Sequence, residues 1–520
     1  MKKLISIIIT AILVLSIYPT PVYAAKAISA HVVVNNELVL FPDSQPYIDN
    51  KGIVMVPVTN ICEKLGATAS WKESTDSVTI VNATDKIVIN MPTSKAKNKK
   101  ASVTLNGKSV PMDTAPFRKN NCTYVSLKFF TDLFHCQTTW NSGIQTVFLT
   151  SSGYVGDQPA STDKTVTSSE IVHIKSFDDY TLTGKLDLPE GAQSVSTLVI
   201  FVPGTGPNTY DNKRKTGTIE FNYYDLFAQE LAKRQVGFFR YNTRGVEEGS
   251  EPPTYDTINR EEYKKYTPQN QAQDIEVMIT ELKKNEKLKN AKIVLLGWSE
   301  GTIIAPLVAE RNNVEISSLM LAGYCNEKMQ DIIEWQLSGE SSMIFYCQYF
   351  DTNLDGIVTK EEFKADPYGI TKSVLGGVKF KDLDINKDNK LSSADFYSLL
   401  TESRERILKA IEQNDGDWIW NNYYHITTEW LSGHAKLEAN KDRLPKLAIP
   451  VNIFHGVSDQ NVPVKGVYNI FDAYKANGKT NLNAFIFINN NHDLNYQMYP
   501  MNGMISAGLR QIFDECAKVK

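Results

Sequence analysis

The stretch Ala291-Lys-Ile-Val-Leu-Leu-Gly297-Trp298-Ser299-Glu300-Gly301-Thr302-Ile-Ile-Ala-Pro-Leu-Val-Ala-Glu-Arg311 decides the fold. Residues 291–296 form an apolar run of strand length, and residues 302–311 read as a buried helix. A strand, then G-x-S-x-G, then a helix is the context that a nucleophile elbow requires. The serine then sits on a sharp turn at the carboxyl edge of a sheet. The two glycines are needed because that turn leaves no room for side chains beside it. Ser299 is therefore read as a nucleophile. The same pentapeptide arises by chance in strand–helix turns, so the assignment depends on what the rest of the chain supplies.

Strands and helices alternate on both sides of this stretch. Residues 171–176 and 181–188 read as an antiparallel start, and 196–202 as a buried strand. Residues 221–234 read as a helix, 236–240 as a strand and 268–285 as a helix. Further strands are expected at 318–322, 450–454 and 483–488. This alternation predicts an α/β fold, a mainly parallel sheet flanked by helices. Motifs stand at the ends of these strands. Pro203-Gly-Thr-Gly-Pro207 follows the third, Arg240-Tyr-Asn-Thr-Arg-Gly-Val246 the fourth, His455-Gly-Val-Ser-Asp459-Gln-Asn-Val-Pro463 the late one, and Asn491-His492-Asp493 the last.

In that order they resemble the α/β-hydrolase superfamily. The resemblance implies an oxyanion loop at 203–207, with proline where the family carries histidine, and a structural turn after the fourth strand, with a contact of Arg244 to substrate as the alternative. It further implies that Asp459 is the acid, His492 the base and His455 a structural residue. The chain order Ser299, Asp459, His492 is the order of this fold. His492 would take the Ser299 proton during attack on a carbonyl carbon, and Asp459 would fix the imidazole tautomer. Backbone N–H groups of Glu300 and Thr205 would form the oxyanion hole.

Between the strands at 318–322 and 450–454 lies a long insertion, assigned to residues 325–445 and read as a lid. Within it, Asp351-Thr-Asn353-Leu-Asp355-Gly356-Ile357-Val-Thr359-Lys-Glu-Glu362 places oxygen side chains at loop positions one, three, five, nine and twelve, with glycine at six. Calcium takes six to eight oxygens, and the Ile357 carbonyl supplies another. The second loop, Asp384-Ile-Asn386-Lys-Asp388-Asn389-Lys390-Leu-Ser392-Ser-Ala-Asp395, begins 33 residues later. It has Asn389 at position six, where asparagine tolerates a left-handed turn, and the shorter Asp395 at position twelve. Residues 340–402 resemble the EF-hand family. The resemblance implies one or two bound Ca²⁺ ions, with the Lys390 carbonyl as a ligand of the second loop. A structural role, ordering the lid, is expected. The alternative is a pair of acidic surface turns. The aromatic-rich run 417–425 is expected to pack the lid onto the sheet rather than line a pocket.

Residues 28–151 contain two copies of one pattern at a spacing of roughly 69–71 residues, with Trp71 and Trp140 as matching core aromatics. An α+β repeat module burying one shared core is expected. This part resembles the amino-terminal domain of copper amine oxidases, which implies a spacer or a module for cell-wall or surface attachment. Nothing in the chain matches the copper-binding domain of those enzymes, so no copper is expected. Residues 152–168, rich in Ser, Thr, Gly, Pro and Asp, read as a linker to a catalytic domain over 169–520.

Residues 1–25 combine a basic start, an apolar run over 4–17 and a small-residue cleavage site near Ala24. This is a secretory signal peptide, and a secreted or surface-associated protein is expected. A net charge of −4 and pI near 6.1 give no support for nucleic-acid binding. Six scattered cysteines leave disulfides and buried thiols both open. The combined reading is an exported carboxylic ester hydrolase acting on a small ester. The alternatives are a serine peptidase acting on short peptides and a calcium-dependent surface-binding protein with a degenerate hydrolase domain.

Overall fold

The computed structural model describes residues 28–92, 100–161 and 167–520. The expected signal peptide, with its expected cleavage site near Ala24, and the centre of the linker lie outside the described residues. One 12-stranded sheet organises the chain. Its parallel centre runs, in spatial order, Leu482–Phe487, Val451–Gly456, Ser318–Ala322, Lys292–Trp298, Thr197–Val202 and Gly237–Tyr241. Thr181–Pro189 and Thr167–Lys175 close one edge as an antiparallel pair.

Side chains alternate across a strand. Leu198, Ile200, Ile293 and Leu295 therefore enter one apolar core, while Val199, Phe201, Val294 and Leu296 enter another on the opposite face. A sheet covered on both faces needs near-continuous apolar strands, and these sequences supply them. The strand before Ser299 lies in the middle of the parallel region, so its carboxyl end is held on both sides by neighbouring strands.

The amino-terminal repeat has a core of its own, built on Val56, Ile61, Phe129, Phe130 and Leu149. Trp71 and Trp140 are only partly buried at its margin, contrary to expectation. Arg118 covers the Trp71 ring at 3.6 Å, and the two adjacent phenylalanines fill the centre instead. The module also joins the large sheet. His31–Val34 and the hairpin Gln137–Asn141/Thr146–Thr150 extend it, linked through Glu37–Leu38 to Phe485, with the Ile486 N–H donating to the Asn36 carbonyl at 2.7 Å.

The linker is likewise tied down. Gln158–Pro159 pairs with Met504–Ile505, and Asp157 accepts from the Ala507 N–H. Its range also overlaps the first strand, which starts at Thr167. The helix expected over 221–234 begins only at Asp225, because Ile219–Asn222 pairs with Lys213–Thr216 as a hairpin. All six cysteines are free thiols.

Candidate active site

The elbow is built by close approach. A Cβ on Gly297 would lie 2.3 Å from the Gly301 carbonyl oxygen, and one on Gly301 would lie 2.0 Å from the Val202 oxygen. Only glycine fits either position. Ser299 has φ +54, a left-handed conformation that costs a non-glycine residue on the order of 1–3 kcal/mol. Its surroundings hold it there. The Ser299 N–H donates to the Ala322 carbonyl at 2.9 Å, and its carbonyl accepts from both the N–H and the hydroxyl of Thr302 at 2.8 and 2.7 Å.

His492 and Asp459 come together after the strands Leu482–Phe487 and Val451–Gly456. His492 Nδ1 lies 2.8 and 2.9 Å from the two Asp459 oxygens. Asp459 is fully buried, and its Oδ1 also accepts from the Asn461 and Val462 N–H groups. Burial opposes the charge on Asp459, but the facing His492 and His455 hold its carboxyl below the usual range. Burial likewise opposes charge on His492, yet the Asp459 carboxylate raises it above the ordinary imidazole value.

The second histidine is different. His455 Nδ1 accepts from the Tyr324 N–H at 3.0 Å, so its proton sits on Nε2, beside the Val462 carbonyl. Burial keeps it neutral by lowering its pKa. It does not line the cavity, and its two ring nitrogens bind Tyr324 and Val462 instead.

Ser299, His492 and Thr205 line one cavity of about 430 Å³. Among the described residues no hydrogen bond joins the Ser299 hydroxyl to His492, and such contacts commonly tighten only with substrate present. Asn208 braces the loop under Thr205 by donating to the Gly204 and Gly206 carbonyls at 3.3 and 3.0 Å. Tyr423 and Tyr424 line the cavity too, so this end of the aromatic run does more than pack the lid; Trp420 packs edge-on against Tyr263. Arg244 is fully buried between Asp178 and Asp274 and does not reach the cavity.

The Glu300 side chain is a finding that the motif did not foretell. It is buried and accepts from Gln271 Nε2 at 2.9 Å and Trp430 Nε1 at 2.7 Å, and it pairs with His434 Nε2 at 2.9 Å. Burial alone would raise its pKa, but His434 and these donors hold the carboxyl below its ordinary value. Trp430 and His434 sit on the lid helix Thr428–Ala435. The residue after Ser299 therefore fastens the lid to the elbow. A lone G-x-S-E-G gives no signal of this, because the partners lie as far as 134 residues away.

The two acidic loops share one backbone. Leu354 and Gly356 have φ +58 and +83, and Lys387 and Asn389 have φ +61 and +63. Asp351 accepts from the Asp355 and Gly356 N–H groups, and Asp384 from the matching Asp388 and Asn389. Val358 pairs with Leu391 in a short antiparallel bridge, above a separate core in which Phe350 stacks on Phe363 at 4.8 Å. Among the described residues no group of three or more His, Cys, Asp or Glu side chains forms a metal cluster. The donors here are mixed, with carboxylates alternating with amide, hydroxyl and carbonyl oxygens. Such a hard, all-oxygen set suits calcium. The first loop also touches the amino-terminal module, where the Gly143 N–H and Ser142 hydroxyl both donate to the Leu354 carbonyl.

Residues 197–496 match the family model for the alpha/beta hydrolase fold, and residues 33–149 that for the copper amine oxidase N-terminal domain. Comparison with curated proteins gives no match. Similar solved structures include an esterase from Pyrococcus furiosus, 13% identical, covering 69% of this chain and 98% of its own, with a TM-score of 0.36. A proline iminopeptidase from Mycobacterium smegmatis is 13% identical, with coverages of 67% and 99% and a TM-score of 0.38. An esterase from Exiguobacterium antarcticum is 16% identical, with coverages of 66% and 96% and a TM-score of 0.32.

Proposed function

The chain belongs to the alpha/beta hydrolase fold family, and from that premise we propose that it is an exported serine hydrolase cleaving carboxylic esters through an acyl-enzyme on Ser299. The observation that carries this reading is the Asp459–His492 pair, closed at 2.8 Å, with its imidazole on the cavity that Ser299 lines. The Ser299 hydroxyl attacks the ester carbonyl while its proton passes to His492 Nε2. Asp459 keeps the Nδ1 proton in place and stabilises the imidazolium. The Glu300 and Thr205 N–H groups receive the oxyanion, each such donor contributing roughly 3 kcal/mol. The imidazolium then protonates the departing alcohol. Water, deprotonated by the same histidine, attacks the acyl carbon and releases the acid.

The lid is proposed to bind one or two calcium ions. Asp351, Asn353, Asp355, Thr359, Glu362 and the Ile357 carbonyl would hold the first. Asp384, Asn386, Asp388, Ser392, Asp395 and the Lys390 carbonyl would hold the second. The cation would offset the gathered negative charge and stiffen the lid. The paired left-handed turns and the bridge between the loops support this. Export is proposed on the apolar run at residues 4–17.

A fluorophosphonate probe is expected to label the wild type and not Ser299→Ala; absence of wild-type labelling would favour a binding protein. Faster turnover of aminoacyl anilides than of p-nitrophenyl esters would sink the ester reading. For calcium, EDTA is expected to lower the melting temperature, and an unchanged melt would overturn that role.

A further inference from the structure

We propose that Arg214 recognises a carboxylate on the substrate, so that the preferred esters are acidic ones. This rests on the reading of Ser299 as the nucleophile. Arg214 lies on the hairpin Lys213–Thr216/Ile219–Asn222. The register sets Lys215 opposite Glu220 and Arg214 opposite Phe221. Successive side chains point to opposite faces of a strand. Lys213 and Lys215 thus share one face, and both close on Glu220, at 3.1 and 3.2 Å. Arg214 and Phe221 share the other face, and both line the cavity with Ser299 and His492; Lys215 lines it as well, but with its ammonium held by Glu220.

Arg214 stands apart from the other arginines near the site. Arg240 and Arg244 are each buried against at least two carboxylates. Among the described residues no carboxylate comes within ion-pair distance, 4.0 Å, of Arg214. Asp493, also on the cavity wall, feels the Arg214 charge without closing on it. Burial lifts the Asp493 carboxyl above its ordinary range. The remaining wall mixes apolar side chains such as Met329, Ile333 and Ile426 with uncharged polar ones such as Asn212 and Gln497. A half-buried guanidinium in such surroundings is a preformed fork for two carboxylate oxygens.

The test compares mono-p-nitrophenyl glutarate with p-nitrophenyl valerate, which match in length and differ in the terminal charge. In the wild type kcat/KM is expected to favour the glutarate by on the order of tenfold. The ratio should fall to about one in Arg214→Gln, persist in part in Arg214→Lys, and shrink with added salt. A wild-type ratio of one or less, or a ratio indifferent to Arg214→Gln, overturns the proposal. Calorimetric binding of glutarate to Ser299→Ala, with and without Arg214→Gln, separates the two readings. Arg214-dependent binding without fluorophosphonate labelling of the wild type would sink the hydrolase reading and keep this one. Ester cleavage without charge preference would do the reverse.

Discussion

The elbow and the first acidic loop solve one problem by opposite means. Each holds a non-glycine residue in left-handed backbone, Ser299 at φ +54 and Leu354 at φ +58. At the elbow the restraints come from elsewhere in the chain. They are the Ala322 carbonyl, the Val202 strand end packed on Gly301, and Cys325, whose N–H donates to the Thr302 hydroxyl at 2.9 Å. In the loop most come from within it, with the Ser142 and Gly143 donors to the Leu354 carbonyl added from outside. Asp351, Asn353 and Asp355 accept from N–H groups two to five residues ahead. A site held by the whole fold is rigid and suits chemistry. A site held mostly by its own twelve residues is a local unit that a bound ion could order.

The comparison breaks most sharply at Ser299. Ser299→Ala should cut kcat by on the order of 10⁶, the scale of removing a triad nucleophile. Its melting temperature should stay within a few degrees of wild type, because the restraints act on the backbone. Steady-state kinetics beside a thermal melt would test this, and a large loss of stability would mean that the hydroxyl itself holds the turn.

Asp459→Asn should come next, at about 10⁴-fold in kcat. The pH profile carries the sign. His492 works as a base only when neutral, so kcat/KM should rise with pH through the His492 pKa. Asp459 places that pKa above the ordinary imidazole value. Neutralising Asp459 should shift the rising limb to lower pH, and a limb that does not move would exclude this pairing as its cause.

Glu300→Ala probes the join between the elbow and the helix Thr428–Ala435. It leaves Gln271, Trp430 and His434 without their buried acceptor. Leaving a buried donor without its acceptor costs about 1–3 kcal/mol, so denaturant melts should show a loss of at least that size. Because the Glu300 pKa is depressed in the fold, its stabilisation is present above the ordinary carboxyl range. It is lost as pH falls through the lower folded value. Wild type and variant should therefore converge in acid, and a gap independent of pH would assign the effect to packing alone.

The same contrast explains how much the sequence could tell. The strand order and Ser299, Asp459 and His492 were legible because each sits in a short motif at the end of an apolar strand. Both acidic loops were legible because their restraints are local. The Glu300–His434 clasp was not, since 134 residues separate the partners. Arg214 was missed because Ile219–Asn222 is too short and mixed to reveal a strand, so a helix was expected from 221. The amino-terminal module docks by sheet pairing at Glu37 and Phe485 and by contacts scattered along the chain, among them His31 stacked on Tyr468 and the Ser142 and Gly143 donors to the Leu354 carbonyl. Neither leaves a pattern in the sequence.

The smallest effect lies within the loop pair. Asp395 closes the second loop as Glu362 closes the first, accepting from Ile385 and Ser392 where Glu362 accepts from Thr352 and Thr359. The missing methylene leaves its carboxylate nearer its own backbone and farther from where a cation would sit. Asp395→Glu should therefore raise calcium affinity at this loop, by about tenfold or roughly 1.4 kcal/mol. The gain is limited because Asp395 is buried and the longer chain must displace its neighbours. Calorimetric titration in a Glu362→Gln background would isolate the second loop. A tighter binding event with no change in kcat would keep the loops as ordering elements. Equal affinity in both variants would show that the reach of residue 395 does not set binding there, and that the backbone of the loop does.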